Sequence, residues 1–208
     1  MKIKSQINEF THKDAEIKRV KTLYQGFFRI NEYQLRHALF QGGQSKLINR
    51  EIFERGNAVA VMPYDPSLDA IVLVEQFRVG AINGDQSPWL LELIAGMFDK
   101  DELPAQVAIR EAKEEANLII EEQLLMPIMQ YFSSPGGTSE IIHLYVAKVI
   151  APECGGICGL ADEDEDIKVH VIKLAEALEM IEEGKINNAA TIIGVQWLAL
   201  NKQKLLAS

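Results

Sequence analysis

Cysteine is nearly missing from this chain. Its 208 residues include two, Cys154 and Cys158, in the stretch CGGIC. Two thiols four residues apart cannot build a disulfide framework. The nearest histidines, His143 and His170, stand singly on either side, so the close His pair of a zinc finger is missing too. Two reduced thiols in a loop are expected. Positive charge is also short: 21 Lys and Arg against 30 Asp and Glu leave a formal net charge of -9. This argues against non-specific binding to nucleic acid, which needs an excess of cations to neutralise phosphates. It leaves open an anionic substrate bridged to the protein by a divalent cation. No apolar run approaches the roughly 18 residues of a membrane span. The opening MKIKSQINEFTHKDAEI has no apolar core of a secretory signal. A cytoplasmic, reducing location is expected. There is no internal repeat and no low-complexity stretch.

What remains is a core-forming composition, 48% apolar, in a length suited to one large domain or a catalytic domain with a small extension. Residues 17–55 read as β-rich, with aromatic and β-branched residues in TLYQGFFRINEYQL and a bend at Gly26. Strong strands follow at 57–65 and 70–79, joined around Pro66 and Ser67. WLLELIAGM (89–97) is short and apolar and ends at the acidic loop. Residues 104–116 have helical spacing, with Val107, Ala108, Ala112 and Ala116 on one side. Pro104 suits the first turn and Asn117 a left-handed stop. PIMQYFSS, IIHLYVAKVI and IKVHVIKL read as strands. APECGGICGL reads as a glycine-rich loop, LAEALEMIEEG as a helix ending at Gly184, and NAATIIGVQWLALNKQ as a final helix. The whole reads as a mixed α/β (α+β) chain, with a β-rich part at 1–56 and a catalytic domain at 57–208.

Residues 96–118, GMFDKDELPAQVAIREAKEEANL, carry six acidic side chains. Glu111 and Glu115 are four apart and share a helix face, and Glu114 adjoins them. Like charges at this spacing oppose each other, and no Lys is spaced to relieve each one. Either the three spread into solvent or a cation gathers them. Carboxylates are the ligands that hard ions such as Mg²⁺ or Mn²⁺ prefer, and close carboxylates without a metal raise each other's pKa.

Gly96, the isolated Glu102, the pair Arg110-Glu111, then Ala112, Glu114-Glu115 and Leu118 stand at the spacing of the Nudix box. The chain therefore resembles the Nudix hydrolases. Where that box usually ends in Gly this chain has Asn117, which tolerates the same backbone geometry. The resemblance implies a mixed-sheet α/β/α sandwich and hydrolysis of a diphosphate linked to another group, usually a nucleoside. It implies Glu111 and Glu115 as main ligands of Mg²⁺ (or Mn²⁺), more than one ion per site, with Glu114 in or just behind them. A backbone carbonyl before the box glycine, that of Ala95, would also bind metal. Arg110 and Glu102 would orient the ligands from behind.

Segments from about residue 22 to 198 (LYQGFFRI, REIFERGNA, VEQFR, ELIAGM, SSPGGTSE, GLADEDEDIKVHV and EEGKINNAATIIGVQWL) resemble the ADP-ribose-hydrolysing members of that family. This implies that Phe27 and Phe28 stack on adenine, although paired phenylalanines are otherwise ordinary packing. It also implies substrate contacts from Arg50, Glu51, Arg55, Arg78 and Met97, and from Ser134, Pro135, Gly136 and Glu140 of a closing loop. In the acidic run 162–166 it implies Glu163 as catalytic base and Glu165 as a further ligand, although such a run is usually a solvated loop. Neighbours one or two residues from Glu163 could take that role. The resemblance further implies that the 1–56 segment is exchanged between two subunits. Phe27, Phe28, Arg50, Glu51 and loop 134–136 would then serve the partner's metals in a homodimer with shared active sites. Hydrolysis of ADP- or GDP-linked hexoses is the alternative activity. A silent nucleotide-binding sensor is less expected, because all three box glutamates are present.

Overall fold

The computed structural model describes residues 10–98, 101–151, 156–160 and 164–207. The chain divides into two compact units. One reaches to Arg55 and takes in Ser134–Glu140; the other comprises Gly56–Ser133 and Ile141–Ser208.

The first unit is a three-stranded antiparallel sheet, β1 (Ala15–Gln25), β2 (Arg29–His37) and β3 (Ile48–Glu54), in that order. Gly26 makes the first turn, its N–H donating to the carbonyl of Phe28 (2.8 Å). β1 is exposed along all 11 residues, Ile17, Val20, Leu23 and Tyr24 included. The interior of the unit is polar. Glu54 accepts hydrogen bonds from the Tyr33 and Ser139 hydroxyls and from Asn31. Burial pushes the Glu54 carboxyl up, but these bonds outweigh it and hold the group below the ordinary range. Ser134–Glu140 joins this unit because β3 binds it. Phe53 N–H donates to Gly137 O (2.8 Å), and Thr138 Oγ1 donates to Phe53 O (2.9 Å).

The second unit is built on an eight-stranded mixed sheet. Its strands are β4 (Asn57–Asp65), β5 (Ala70–Phe77), β6 (Trp89–Glu92), β7 (Ile94–Phe98), β8 (Leu125–Phe132), β9 (Ile141–Lys148), β10 (Ile157–Cys158) and β11 (Ile167–Lys173). The order is β10-β11-β5-β4-β9-β8, with β6 on β5 and β7 on β4. β4 and β9 run parallel, and β4 is buried on both faces, as central strands are. Two apolar clusters line the two faces. Val59, Val61, Val72 and Val74 pack with α1 (Pro104–Ala116). Ala60, Met62, Ile71 and Leu73 pack with α2 (Leu174–Glu182) and α3 (Ala189–Ala207). This is a mixed-sheet α/β/α sandwich. No helix among the described residues is long and apolar enough to cross a membrane.

WLLELIAGM forms two strands, because the chain passes from β5 to β4 at Leu93. There the Leu93 N–H leaves the ladder and donates to Thr191 Oγ1 of α3 (3.0 Å). In CGGIC, Ile157–Cys158 is a short strand on β11 rather than loop. The free thiol of Cys158 is half-buried, and Cys154 lies outside the described residues.

The β4–β5 connection is tied by buried Asp65. Its Oδ1 accepts from Ser67 N–H (2.8 Å), Ser67 Oγ (2.6 Å) and Leu68 N–H (3.2 Å), and its Oδ2 from Ala151 N–H (2.8 Å). Burial raises this carboxyl, but the four bonds prevail and leave its pKa lowered. A depressed folded pKa gives stability that is present above the unfolded value of about 3.9 and is lost as pH falls through the folded one. Asp65→Asn would set an NH₂ against the Ala151 N–H. It is expected to cost about 2 kcal/mol at pH 7, read by urea unfolding, with the gap to wild type narrowing below about pH 4.

Candidate active site

The carboxylates gather where α1 lies against β7. Pro104 opens α1, and Asn117 closes it in the left-handed region (φ 52°), donating its N–H to Ala112 O and Lys113 O. Val107, Ala108, Ala112 and Ala116 face the sheet. That packing fixes the helix rotation and sets Glu111 and Glu115 toward β7. Glu115 is 3% exposed, and its Oε2 accepts the N–H of Ala95 (3.1 Å). Arg110 bridges the other two, with Nη2 2.9 Å from Glu111 Oε1 and Nη1 2.7 Å from Glu114 Oε2. Glu102 adds to the negative field on Arg110.

Gly96 makes this approach possible. A Cβ at that position would lie 1.9 Å from Glu111 Oε1 and 2.6 Å from its Cγ. The glutamate therefore fills the space that any side chain at 96 would need.

The electrostatics match crowded acids with too little positive charge. Burial pushes the Glu115 carboxyl up to about 8. The Ala95 N–H and Arg78 oppose this, while Glu111 and Glu165 add to it. Burial likewise takes Glu111 to about 7, with Arg110 opposing and Glu114 and Glu165 adding. Glu165 thus acts on both through its charge, and its own Oε2 accepts from Leu160 N–H (3.1 Å). Among the described residues no three carboxylate, imidazole or thiol groups already converge on one point; Arg110 and the Ala95 N–H hold oxygens of the box glutamates. The donor set is all hard oxygen and short of countercharge, and it fits a divalent cation.

A family model for the NUDIX domain matches residues 54–193. The chain belongs to the Nudix family. Nudix hydrolases generally use divalent metal ions. The chain is 48% identical to the ADP-ribose pyrophosphatase of Escherichia coli K12, over 94% of this chain and 93% of that one. It is 47% identical to the ADP-ribose pyrophosphatase of Haemophilus influenzae, over 98% and 94%. The GDP-mannose pyrophosphatase of Salmonella typhimurium is 37% identical over 72% and 76%. A crystal structure of an ADP compounds hydrolase shares the fold, with TM-score 0.66 at 22% identity and 94% and 98% coverage.

In this Nudix chain the other expected site residues fall into two groups. On the second unit, Arg78 Nε donates to Glu92 Oε2 (2.7 Å). Met97 is exposed and leaves β7 on the face opposite Gly96. On the first unit, Phe27 is 83% exposed and meets Phe28 edge-on (centroids 4.7 Å). Phe28 meets Phe53 edge-on (5.0 Å), and Arg55 lies over the Phe28 ring (5.7 Å). Arg55 Nε stands 3.3 Å from Oε1 of buried Glu140. Ser134, Pro135 and Gly136 lie in a turn in which Ser134 O accepts from Gly137 and Thr138 N–H (both 2.9 Å). Glu51 and Phe53 share one face of β3, while Arg50 is on the other and donates to Asn49 O (2.7 Å). Thus Phe27, Phe28, Arg55 and Glu140 come together, and Arg50 stands apart from them. Glu163 lies outside the described residues.

Sequence reading did not single out Glu92, Phe53 or Glu54. Glu92 closes an otherwise apolar WLL run at a half-buried strand position. That signal could have marked it as a partner for an arginine.

Proposed function

We propose that this chain hydrolyses the pyrophosphate bond of ADP-ribose to AMP and ribose 5-phosphate. The carrying observation is the box geometry, in which Glu111 fills the Gly96 notch and Glu115 hangs from Ala95. The match to ADP-ribose pyrophosphatases along almost the whole chain supports the same reading.

Glu111, Glu115, Glu165 and the carbonyl of Ala95 would hold Mg²⁺ (or Mn²⁺), more than one ion per site, with Glu114 among them or just behind. The bound ions supply neutralisation of phosphate oxygens and a more acidic water. Arg110 keeps Glu111 and Glu114 aligned by its two ion pairs, and Arg78 is placed to take a phosphate. Phe27 and Phe28 offer an adenine platform, and Glu140 accepts from ribose hydroxyls. Glu163 takes the proton of the attacking water. Glu163→Gln is expected to lower kcat by roughly 10²- to 10⁴-fold with little change in KM. If Glu163→Gln is harmless and Glu165→Gln or Glu140→Gln is crippling, the base lies elsewhere.

The platform residues are supplied by a second copy of the chain in a symmetric, cytoplasmic homodimer. The exposed apolar side chains of β1 and the bare ring of Phe27 support this reading.

The test is a panel of ADP-ribose, ADP-glucose, GDP-mannose, NADH, diadenosine polyphosphates and nucleoside triphosphates with Mg²⁺. Nucleoside monophosphate release is followed, with a chelator control for each. A chelator-sensitive preference for ADP-ribose is expected. Preference for GDP-mannose is the second reading, favoured by the 37% identity to a GDP-mannose pyrophosphatase. It would retain the glutamates and discard the roles of Phe27, Arg50 and Glu140.

A further inference from the structure

β5 changes character part-way along one face. Val72 and Val74 belong to the apolar cluster under α1, whereas Ile71 and Leu73 belong to the other. Alternation therefore carries Gln76 and Arg78 on along the α1 face. Gln76 is 8% exposed, and its Nε2 is buried with no hydrogen-bond partner among the described residues. An orphaned buried amide N–H costs stability and calls for a reason.

The sheet register shows what covers it. Gln76 is opposite Leu90, and Val74 is opposite Glu92. Arg78 lies two residues beyond Gln76, yet its guanidinium donates to Glu92 at 2.7 Å. The Arg78 side chain therefore folds back across the Gln76–Leu90 pair. On the other edge, Lys168 is opposite Glu75, so Ile167 comes beside Gln76. Glu165 precedes this strand, and its Oε2 accepts from Leu160 N–H (3.1 Å). Arg78 and Glu165 both act electrostatically on Glu115. The amide thus lies on the sheet face that α1 covers, beside the Arg78 side chain.

We propose that Gln76 is a substrate-positioning residue whose side-chain N–H donates to an oxygen of the substrate's diphosphate once Arg78 has left Glu92. This rests on the reading that the chain cleaves nucleoside diphosphate sugars. Arg78 is the more exposed partner of its pair, 45% against 17% for Glu92, and such a pair is weak enough to be exchanged for a phosphate. The exchange releases a bidentate guanidinium and uncovers the amide in one motion. A neutral donor also suits this place, because it binds an anionic oxygen without competing with a cation for the carboxylates.

Gln76→Leu and Gln76→Met keep the bulk and remove the donor. Both are measured by kcat and KM on the nucleoside diphosphate sugar that wild type turns over best, by melting temperature, and by calorimetric binding of ADP-ribose and of ADP with a chelator present. The expected result is kcat/KM reduced roughly 10- to 100-fold and ADP and ADP-ribose weakened by the same factor. Melting temperature should hold or rise, because a buried orphan has been removed. Unchanged kinetics with a raised melting temperature would overturn the proposal and make Gln76 a space-filler. Weakened ADP-ribose with unaffected ADP would overturn it too, since the donor would then serve the terminal sugar. A wild type that prefers another nucleotide sugar removes the ADP-ribose reading, while the same variants on that sugar still decide the role of Gln76.

Discussion

Glu115→Gln is expected to cut kcat/KM by at least roughly two to three orders of magnitude while the protein stays folded. The amide keeps the shape of the side chain, and its carbonyl oxygen can still accept the Ala95 N–H that now holds Oε2 at 3.1 Å. What disappears is a charge, and with it a ligand for a hard cation. The folding side has an opposite sign. Burial holds the Glu115 pKa at about 8, above the unfolded value of about 4.3. The folded state keeps a proton that the unfolded chain releases. Its contribution is full below about pH 4.3 and is lost as pH rises toward about 8. Without added metal, wild type should therefore lose stability across that window, and the Gln variant should lose less. Chemical unfolding at several pH values with a chelator reads this directly. Near-normal turnover in Glu115→Gln would sink the ligand assignment.

Gly96→Ala is the second large effect, produced by one methyl group. The added Cβ would overlap Glu111 from Cγ to Oε1, at 2.6 and 1.9 Å. Gly96 sits mid-strand, paired to Val59 of β4, so the backbone cannot easily yield. The Glu111 side chain must swing out and leave Arg110. A displacement of an ångström or more at a reacting centre costs on the order of 10²-fold. The expected result is a folded protein with kcat down by about that factor and a weaker divalent-cation dependence, read from the Mg²⁺ concentration at half-maximal rate. An unaffected Gly96→Ala enzyme would mean that catalysis does not need Glu111 where the structure places it.

Much of this was readable beforehand wherever the information is local. α1 begins at Pro104 and stops at Asn117 because a missing N–H suits the first turn and a left-handed residue ends the last. Strands β4 and β5 announce themselves as apolar runs between turn residues. The box glutamates are legible because spacing on a helix fixes which side chains share a face. The break at Leu93 was not legible. It depends on Thr191, 98 residues away, offering a better acceptor than the neighbouring strand. Nor could the sequence attach Ser134–Glu140 to β3, since that rests on bonds to Phe53 and Glu54 about 85 residues earlier.

The residues alone put close carboxylates behind a glycine with too few cations to neutralise them, and their match to the Nudix box implied the reaction. The sequence also set the secondary elements that carry them, because both follow from residues within one or two helical turns. Which side chains the arginines hold was set by the fold. Arg78 turns to Glu92, Arg55 to Glu140 and Phe28, and Arg110 to two glutamates at once. It alone left the Gln76 amide buried without an acceptor among the described residues. Long-range pairing and burial are set by strand register and packing, which relate residues that no local pattern connects.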